Sequence, residues 1–359
     1  MQDWWCEMLI REATVEDSSK LQSLQQQCTT GENIMITTVN EPDFFARVKA
    51  YEQYKVFVLI ENGDILGSIA CALRDVTISG KVVNSGYLFQ MFVSPKQRQK
   101  GIGSKLYEHV EKYMIQNNVD ISYFVVMNDN VACMKLYENH GYKLKCNSIM
   151  PYLPVYKRMH NLDKNKYRAR YATMADVEAI VDMLNDNWSN YDLYEHLTKE
   201  KFIKEIERIP EFDINNILIL EESEKLASFI AFWDWSEVTR ITVKAINIKL
   251  KILGTVLNFI NICHKAPRIP QKGELLKQLC LTHFAFRRPE DFSEILKYIN
   301  NIALDKGIEQ ICFTFDKDNI LSKNLKEFFH INIPYNVYYK TFKYCISDNM
   351  PTIIRGIDL

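Results

Sequence analysis

The chain has 359 residues, with 44 basic and 45 acidic side chains and a formal net charge of −1 at pH 7. That length favours two domains over one small one, and 47% hydrophobic residues supply material for sizeable cores. The balanced charge excludes a whole-chain electrostatic footprint for nucleic acid.

Taken in order, residues 8–13 read as a short strand, and Thr14 or Asp17 caps a helix through about Gln27, with Val15, Leu21 and Leu24 on one face. Residues 29–40 are polar with one glycine and read as a loop, after which Pro42 opens a second helix towards Tyr54. Residues 55–61 and 65–73 alternate around Asn62-Gly63-Asp64, a hairpin signal. A tight turn at 77–81 precedes an apolar strand, 87–93, that Pro95 ends.

Then comes Arg98-Gln99-Lys100-Gly101-Ile102-Gly103, followed by an amphipathic helix with Leu106, Val110, Tyr113 and Met114 at helical spacing. Two glycines let the backbone turn tightly, so that successive N–H groups point at one anion. The helix start adds its positive dipole end, and Arg98 and Lys100 add charge. This is a candidate pyrophosphate seat. It is not a P-loop, because no Gly-Lys-Ser/Thr follows, and it lacks the third glycine and the ribose-binding acid of a dinucleotide site. Further on, a strand at 124–127 leads to Asn130, then to Cys133, Leu136 and Tyr137 on a helix, and to Gly141-Tyr142.

Asn161 to Lys166 is polar and charged and reads as a linker. Beyond it the pattern returns: YRARYAT at 167–173 echoes LIREAT at 9–14, and residues 174–184 echo the first helix. Residues 217–220 and 226–233 flank 222–225 as a hairpin; strands at 279–286 and 311–315 and helices at 292–305 and 321–329 follow. Where the second copy needs a glycine loop it has Arg287-Arg288-Pro289-Glu290-Asp291, with two acids that repel an anion.

The pattern Arg98-x-x-Gly101-x-Gly103 resembles the acetyl-CoA loop of the GCN5-related N-acetyltransferases (GNAT), and Asn130 to Tyr142 resembles that family's second motif, with Cys133 in the alanine place and Tyr142 in the phenylalanine place. Residues 80–158 are similar in register to the plant HOOKLESS-type N-acetyltransferases, through Val93-Ser94-Pro95, Asn128-Asp129-Asn130 and Pro154-Val155-Tyr156 among others. The resemblance implies an α/β (α+β) acetyltransferase fold, a mixed, mostly antiparallel sheet flanked by helices, in two tandem GNAT-like domains. Residues 1–160 would be the catalytic domain that binds acetyl-CoA, and 161–359 a degenerate one without the cofactor loop.

The same resemblance implies roles. The backbone of Phe92 and Val93 would pair with the pantetheine arm; Arg98, Gln99, Lys100, Gly101, Ile102, Gly103 and Ser104 would hold the pyrophosphate; Asn130 would bond the pantetheine. Tyr137 would protonate the departing thiolate, a role its ordinary pKa of about 10, above a thiol's, suits. Tyr87 stands where some members carry a catalytic glutamate, so the base stays open among Glu32, Glu41 and Glu138. Cys133 replaces a small packing residue and reads as an inert thiol. Acceptor recognition is expected from the 29–40 loop, residues 146–156 and the second domain. The implied activity is acetyl-CoA-dependent transfer of an acetyl group to a primary amine of a protein, peptide or small molecule; the alternative is an acyl-CoA-binding regulator without turnover.

Nine cysteines, with no C-x-x-C pair and no Cys/His cluster, fit reduced thiols and no metal. No run is long enough to cross a bilayer, and MQDWWCEMLIREAT lacks a basic-then-apolar signal design. The expectation is a soluble, cytoplasmic protein, with a nuclear location as the alternative and no strong nucleic-acid or membrane signal.

Overall fold

The computed structural model describes residues 8–160, 162–316, 321–343 and 350–358. Residues 1–7, the start of the sequence read for a signal, and Asn161 of the expected linker lie outside them. The first half runs β1 (Leu9–Glu12), α1 (Ser18–Gln27), β2 (Ile34–Asn40), β3 (Gln53–Glu61), β4 (Asp64–Ile78), β5 (Lys81–Val93), α2 (Ile102–Gln116), β6 (Ile121–Met127), α3 (Val131–Asn139) and β7 (Lys143–Pro154). The second half runs β8 (Tyr167–Tyr171), α4 (Val177–Trp188), α5 (Lys199–Arg208), β9 (Ile217–Glu222), β10 (Lys225–Asp234), β11 (Thr239–Ile246), α6 (Ile248–Cys263), β12 (Leu275–Leu276), β13 (Gln278–Phe286), α7 (Pro289–Asp305), β14 (Gln310–Cys312), β15 (Phe315–Asp316) and β16 (Ile331–Thr341).

The repeat seen in the sequence is structural. Arg11-x-Ala13-Thr14-x-x-Asp17 and Arg170-x-Ala172-Thr173-x-x-Asp176 both end a strand and open a helix. In each, the aspartate accepts the threonine N–H, at 2.8 Å in the first half and 2.7 Å in the second, and receives a two-pronged bond from the arginine. One carboxylate thus caps the helix entry and ties it to the preceding strand.

Thirteen strands form one sheet in the order β1-β3-β4-β5-β6-β16-β7-β14-β13-β10-β9-β8, with β15 beside β7. It is mixed and mostly antiparallel, as expected: β5 with β6 and β13 with β14 are its parallel pairs among the described residues. The order shows an exchange. The last strand of the first half, β7, lies next to β14 of the second half, and the last strand of the chain, β16, lies between β6 and β7. Each half thus contributes strands to its neighbour's part of the sheet.

Several local expectations fail: the helix expected over 321–329 is a single turn, Leu321–Asn324, and the strand expected over 311–315 breaks between β14 and β15. In place of the helix expected from Pro42 towards Tyr54, residues 42–52 form bends, turns and one 3₁₀ turn, Val48–Ala50, and Gln53 and Tyr54 already belong to β3. Asn40 explains part of this: its side-chain amide donates to Phe44 O at 2.7 Å, folding the chain back before a helix can start. The 29–40 loop contains a strand, β2, which pairs with β11 and, through it, β12 in a second, three-stranded sheet. The segment IMITTVN is itself rich in β-branched residues; what the chain does not mark locally is the partner, which comes from the other half.

Candidate active site

β5 and β6 are paired only at Ser85 with Ile121, Gly86 with Ser122 and Tyr87 with Tyr123. Beyond that point β6 continues beside β16 and β5 beside β4, and the sheet opens into a V. A bulge sharpens the opening: Ala70 faces Phe89, but Ser68 faces Phe92, so the chain accommodates an extra residue at Gln90 and Met91. Gln90 takes a left-handed φ of 49° to do so.

At the far end of β5 the glycine loop begins. Gln99 and Gly101 adopt left-handed φ of 63° and 80°, and Gly101 is the residue before the first turn of α2. Gly103 works differently. A Cβ there would stand 3.2 Å from Leu136 Cδ2 and 3.4 Å from Met91 Cε, so the glycine gives a close but not obligatory fit beside α3 and β5. The first N–H groups of α2, which have no partner within the helix, face outward at this point.

A cavity of about 940 Å³ occupies the V. Phe92, Val93, Arg98, Gln99, Gly101, Ile102, Gly103, Ser104 and Asn130 all line it. Among the described residues, the edge of β5 over residues 88–93 that faces β6 has no strand partner. Asn130 uses its Oδ1 to cap α3, accepting from Cys133 N–H at 3.2 Å, and its NH2 group takes no part in that cap. Lys100 does not line the cavity; its ammonium donates to Gln97 Oε1 at 2.9 Å.

Tyr137 does not line it either. The ring is buried against Phe124, and the hydroxyl meets Met91 Sδ at 3.5 Å, so Met91, which does line the cavity, stands between them. Burial drives the phenol's pKa well above its usual value. Burial likewise pushes the Cys133 thiol up to about 12, so this cavity-lining cysteine is protonated and inert.

Tyr87, at the place of the expected acid, is locked in a buried polar knot. Its hydroxyl donates to Asp358 O, and the Tyr51 hydroxyl lies 2.8 Å from Ile357 O. Arg74 donates to Asp358 Oδ2 at 2.5 Å and to the Tyr123 hydroxyl. The three acids left open as bases separate cleanly. Glu41 pairs with Arg240 at 3.0 Å, and Glu138 accepts from the Tyr338 hydroxyl at 2.9 Å. Glu32 lines the cavity, its N–H donating to Asp129 Oδ2 at 3.1 Å, and Asp129 lines it too.

The 29–40 segment contributes Thr29, Thr30, Gly31, Glu32, Met35, Thr38 and Asn40 to the wall, whereas residues 146–156 contribute nothing. The second half reaches it indirectly: β11 backs β2, and Trp235 stacks under the guanidinium of the cavity-lining Arg47, 5.1 Å from its ring centroid. Sequence reasoning missed Gln25, Arg47 and Gln90. Gln90 is 8% exposed, and neither its Oε1 nor its Nε2 has a hydrogen-bond partner among the described residues. A glutamine in an apolar run was the only available signal.

The corresponding turn of the second half is short. Only Arg287 and Arg288 separate β13 from α7, and Asp291 caps α7 itself, accepting from Arg288 N–H at 3.1 Å and from the Tyr167 hydroxyl at 2.7 Å. The C-terminal segment packs on β13 where it leaves β14; Gly356 lies so close that a Cβ would meet Leu281 O at 2.1 Å.

Comparison with known proteins bears on the family and the fold. Residues 20–142 match the model of the acetyltransferase (GNAT) family. A "probable N-acetyltransferase HLS1-like" protein of Arabidopsis thaliana is 30% identical over 130 residues, 32% of this chain and 31% of that one. The "probable N-acetyltransferase HLS1" of the same plant is 23% identical over 202 residues, 46% and 50% of the two chains. The chain therefore matches a third to a half of the length of these relatives. Among solved structures, a Saccharomyces cerevisiae N-myristoyltransferase with bound myristoyl-CoA superposes with a TM-score of 0.65 at 11% identity, covering 97% of this chain and 85% of that one. A GCN5-related N-acetyltransferase from Sphaerobacter thermophilus gives 0.59 at 11% identity, covering 95% and 97%. Over residues 20–142 the chain is similar to the acetyltransferase (GNAT) family, and it is similar to the HLS1-like proteins.

Proposed function

We propose that this protein is an acetyl-CoA-dependent N-acetyltransferase acting on a primary amine of a protein, peptide or small molecule, with the site in residues 1–160 and the second half as a non-binding partner. The observation that carries this reading is the single cavity joining the glycine loop, the open edge of β5 and the polar 29–40 wall.

The residues present fit an acyl-CoA. The amides of residues 99–104 and Arg98 take the pyrophosphate, the β5 edge at Phe92 and Val93 takes the pantetheine arm, and the Asn130 NH2 group adds a bond to it. Lys100, held by Gln97 outside the cavity wall, contributes long-range charge only. The bound thioester then lies where the strands part, against Met91 and Gln90.

An amine must lose a proton to attack, and the thiolate must gain one to leave. Glu32, with Asp129 beside it, draws the first proton from the acceptor side. Tyr137 supplies the second: burial keeps it protonated, and rotation of the unbranched Met91 side chain opens its hydroxyl to the sulfur. The unpaired Gln90 carboxamide anchors the acceptor, since a buried amide without partners gains most from a ligand that satisfies it.

Labelled acetyl-CoA incubated with a panel of amines and peptides tests the reading; transfer to at least one acceptor is expected. The absence of a carboxylate at Tyr87 favours one second reading, a regulator that binds acyl-CoA without turnover. Tight binding with no transfer to any acceptor would support that reading and overturn the first.

A further inference from the structure

α6 has the periodicity of a buried helix but the placement of an exposed one. Ile248, Ile252, Val256 and Phe259 are 68%, 61%, 50% and 69% exposed, and Cys263, also exposed, continues their stripe. They fall at i, i+4, i+8, i+11 and i+15, along one side of the helix. Each residue turns the helix by about 100°, so Gly254, its buried residue, lies on the opposite side. There a Cβ would be 3.2 Å from Ile269, which is why the helix seats on the protein by its glycine. The apolar stripe points away from the fold.

The surrounding charge is one-sided. Residues 238–273 contain seven basic side chains (Arg240, Lys244, Lys249, Lys251, Lys265, Arg268 and Lys272) and no acid, in a chain whose net charge is −1. Lys249 and Lys251 flank the stripe on either side. Lys244, Lys249, Lys251, Lys265 and Lys272 make no ion pair among the described residues, whereas Arg240 and Arg268 are paired with Glu41 and Glu274.

We infer that α6 is a docking helix for an anionic lipid surface. An outward apolar stripe with lysines along its flanks lies in a membrane interface, the apolar side chains among the acyl chains and the ammonium groups at the anionic headgroups. At 16 residues the helix is too short to cross a bilayer, and no helix among the described residues is long and apolar enough to do so. A second copy of the chain is disfavoured by the same charges, because a two-fold contact sets each lysine cluster against its mate. Docking also brings the cavity near the surface: Asn247, which caps α6, donates its backbone N–H to Asn33 O at 2.9 Å, next to Glu32.

The test is flotation of the full chain with vesicles of phosphatidylcholine alone or with roughly 30% phosphatidylserine, with the Kd measured at two salt concentrations. Binding is expected to the anionic vesicles, weaker at high salt and weaker still on neutral vesicles. Replacing Lys249 and Lys251 by alanine should weaken it roughly 30-fold, about five-fold per lysine. Ile252→Asp with Phe259→Asp should abolish it with an unchanged melting curve, because both side chains are exposed. The inference is overturned if the chain does not float with anionic vesicles, or if both double variants bind as the parent does. It is equally overturned if sedimentation shows a dimer that Phe259→Asp dissolves while no vesicle is bound.

Discussion

Gly103→Asp separates the two properties that the glycine loop combines. In the protein, a Cβ at residue 103 meets Leu136 Cδ2 at 3.2 Å and Met91 Cε at 3.4 Å, the far ends of two flexible side chains. The steric cost is therefore small, and a carboxylate in the first turn of α2 is favourable to the helix itself. The charge is what matters. At about 5 Å from one pyrophosphate charge and an effective dielectric constant of about 20, repulsion is about 3 kcal/mol. That corresponds to a loss of coenzyme A affinity of roughly two orders of magnitude. Gly103→Asn has nearly the same shape without the charge, and it should lose far less. Titration calorimetry of both variants, with melting curves to establish that they are folded, measures the difference. Equal losses for Asp and Asn would mean that crowding at Leu136 dominates, and unchanged affinity in a folded Asp variant would remove the phosphate from this loop.

Four further outcomes are expected. Coenzyme A should bind once per chain, since Asp291 and Arg288 already satisfy the start of α7; a calorimetric stoichiometry of two would contradict this. Tyr137→Phe should leave acetyl-CoA affinity nearly intact and reduce turnover roughly 10²–10⁴-fold, less for thioesters of acidic thiols; equal losses for all thioesters would make the hydroxyl an orienting group. Residues 1–160 produced alone should not give a cooperatively unfolding monomer, because β6 and β7 lose β16, and co-expression with 161–359 should restore one; a sharp thermal transition of the fragment alone would argue that the strand exchange is dispensable. Asp17, held at about 2 by Arg11, ionises below its unfolded value of about 3.9, so its contribution is present above pH 4 and is lost as the pH falls through about 2. Urea titrations should show a steeper acid loss for the parent than for Asp17→Asn, which should itself be about 1 kcal/mol less stable at neutral pH.

The sequence by itself determined whatever local chemistry dictates. Gly101 allows a left-handed turn at any site, the threonine and aspartate at 14 and 17 cap a helix wherever they stand, and the echo of LIREAT in YRARYAT announced the second copy. Nine of the eleven expected site residues line the cavity for the same reason: a strand, a turn and a helix start are built from neighbours in the chain. Tertiary structure decided the rest. β16 and β2 find their partners far away in sequence, β16 between β6 and β7 and β2 on β11, and a strand's pairing is set by the edge that receives it. Tyr137 keeps its helical position but points its hydroxyl at Met91, because packing on Phe124 and not the motif fixes the ring. α6 is the sharpest case. Its apolar period of 3.6 fits core and surface equally, and only the contact of Gly254 with Ile269 turns its stripe outwards.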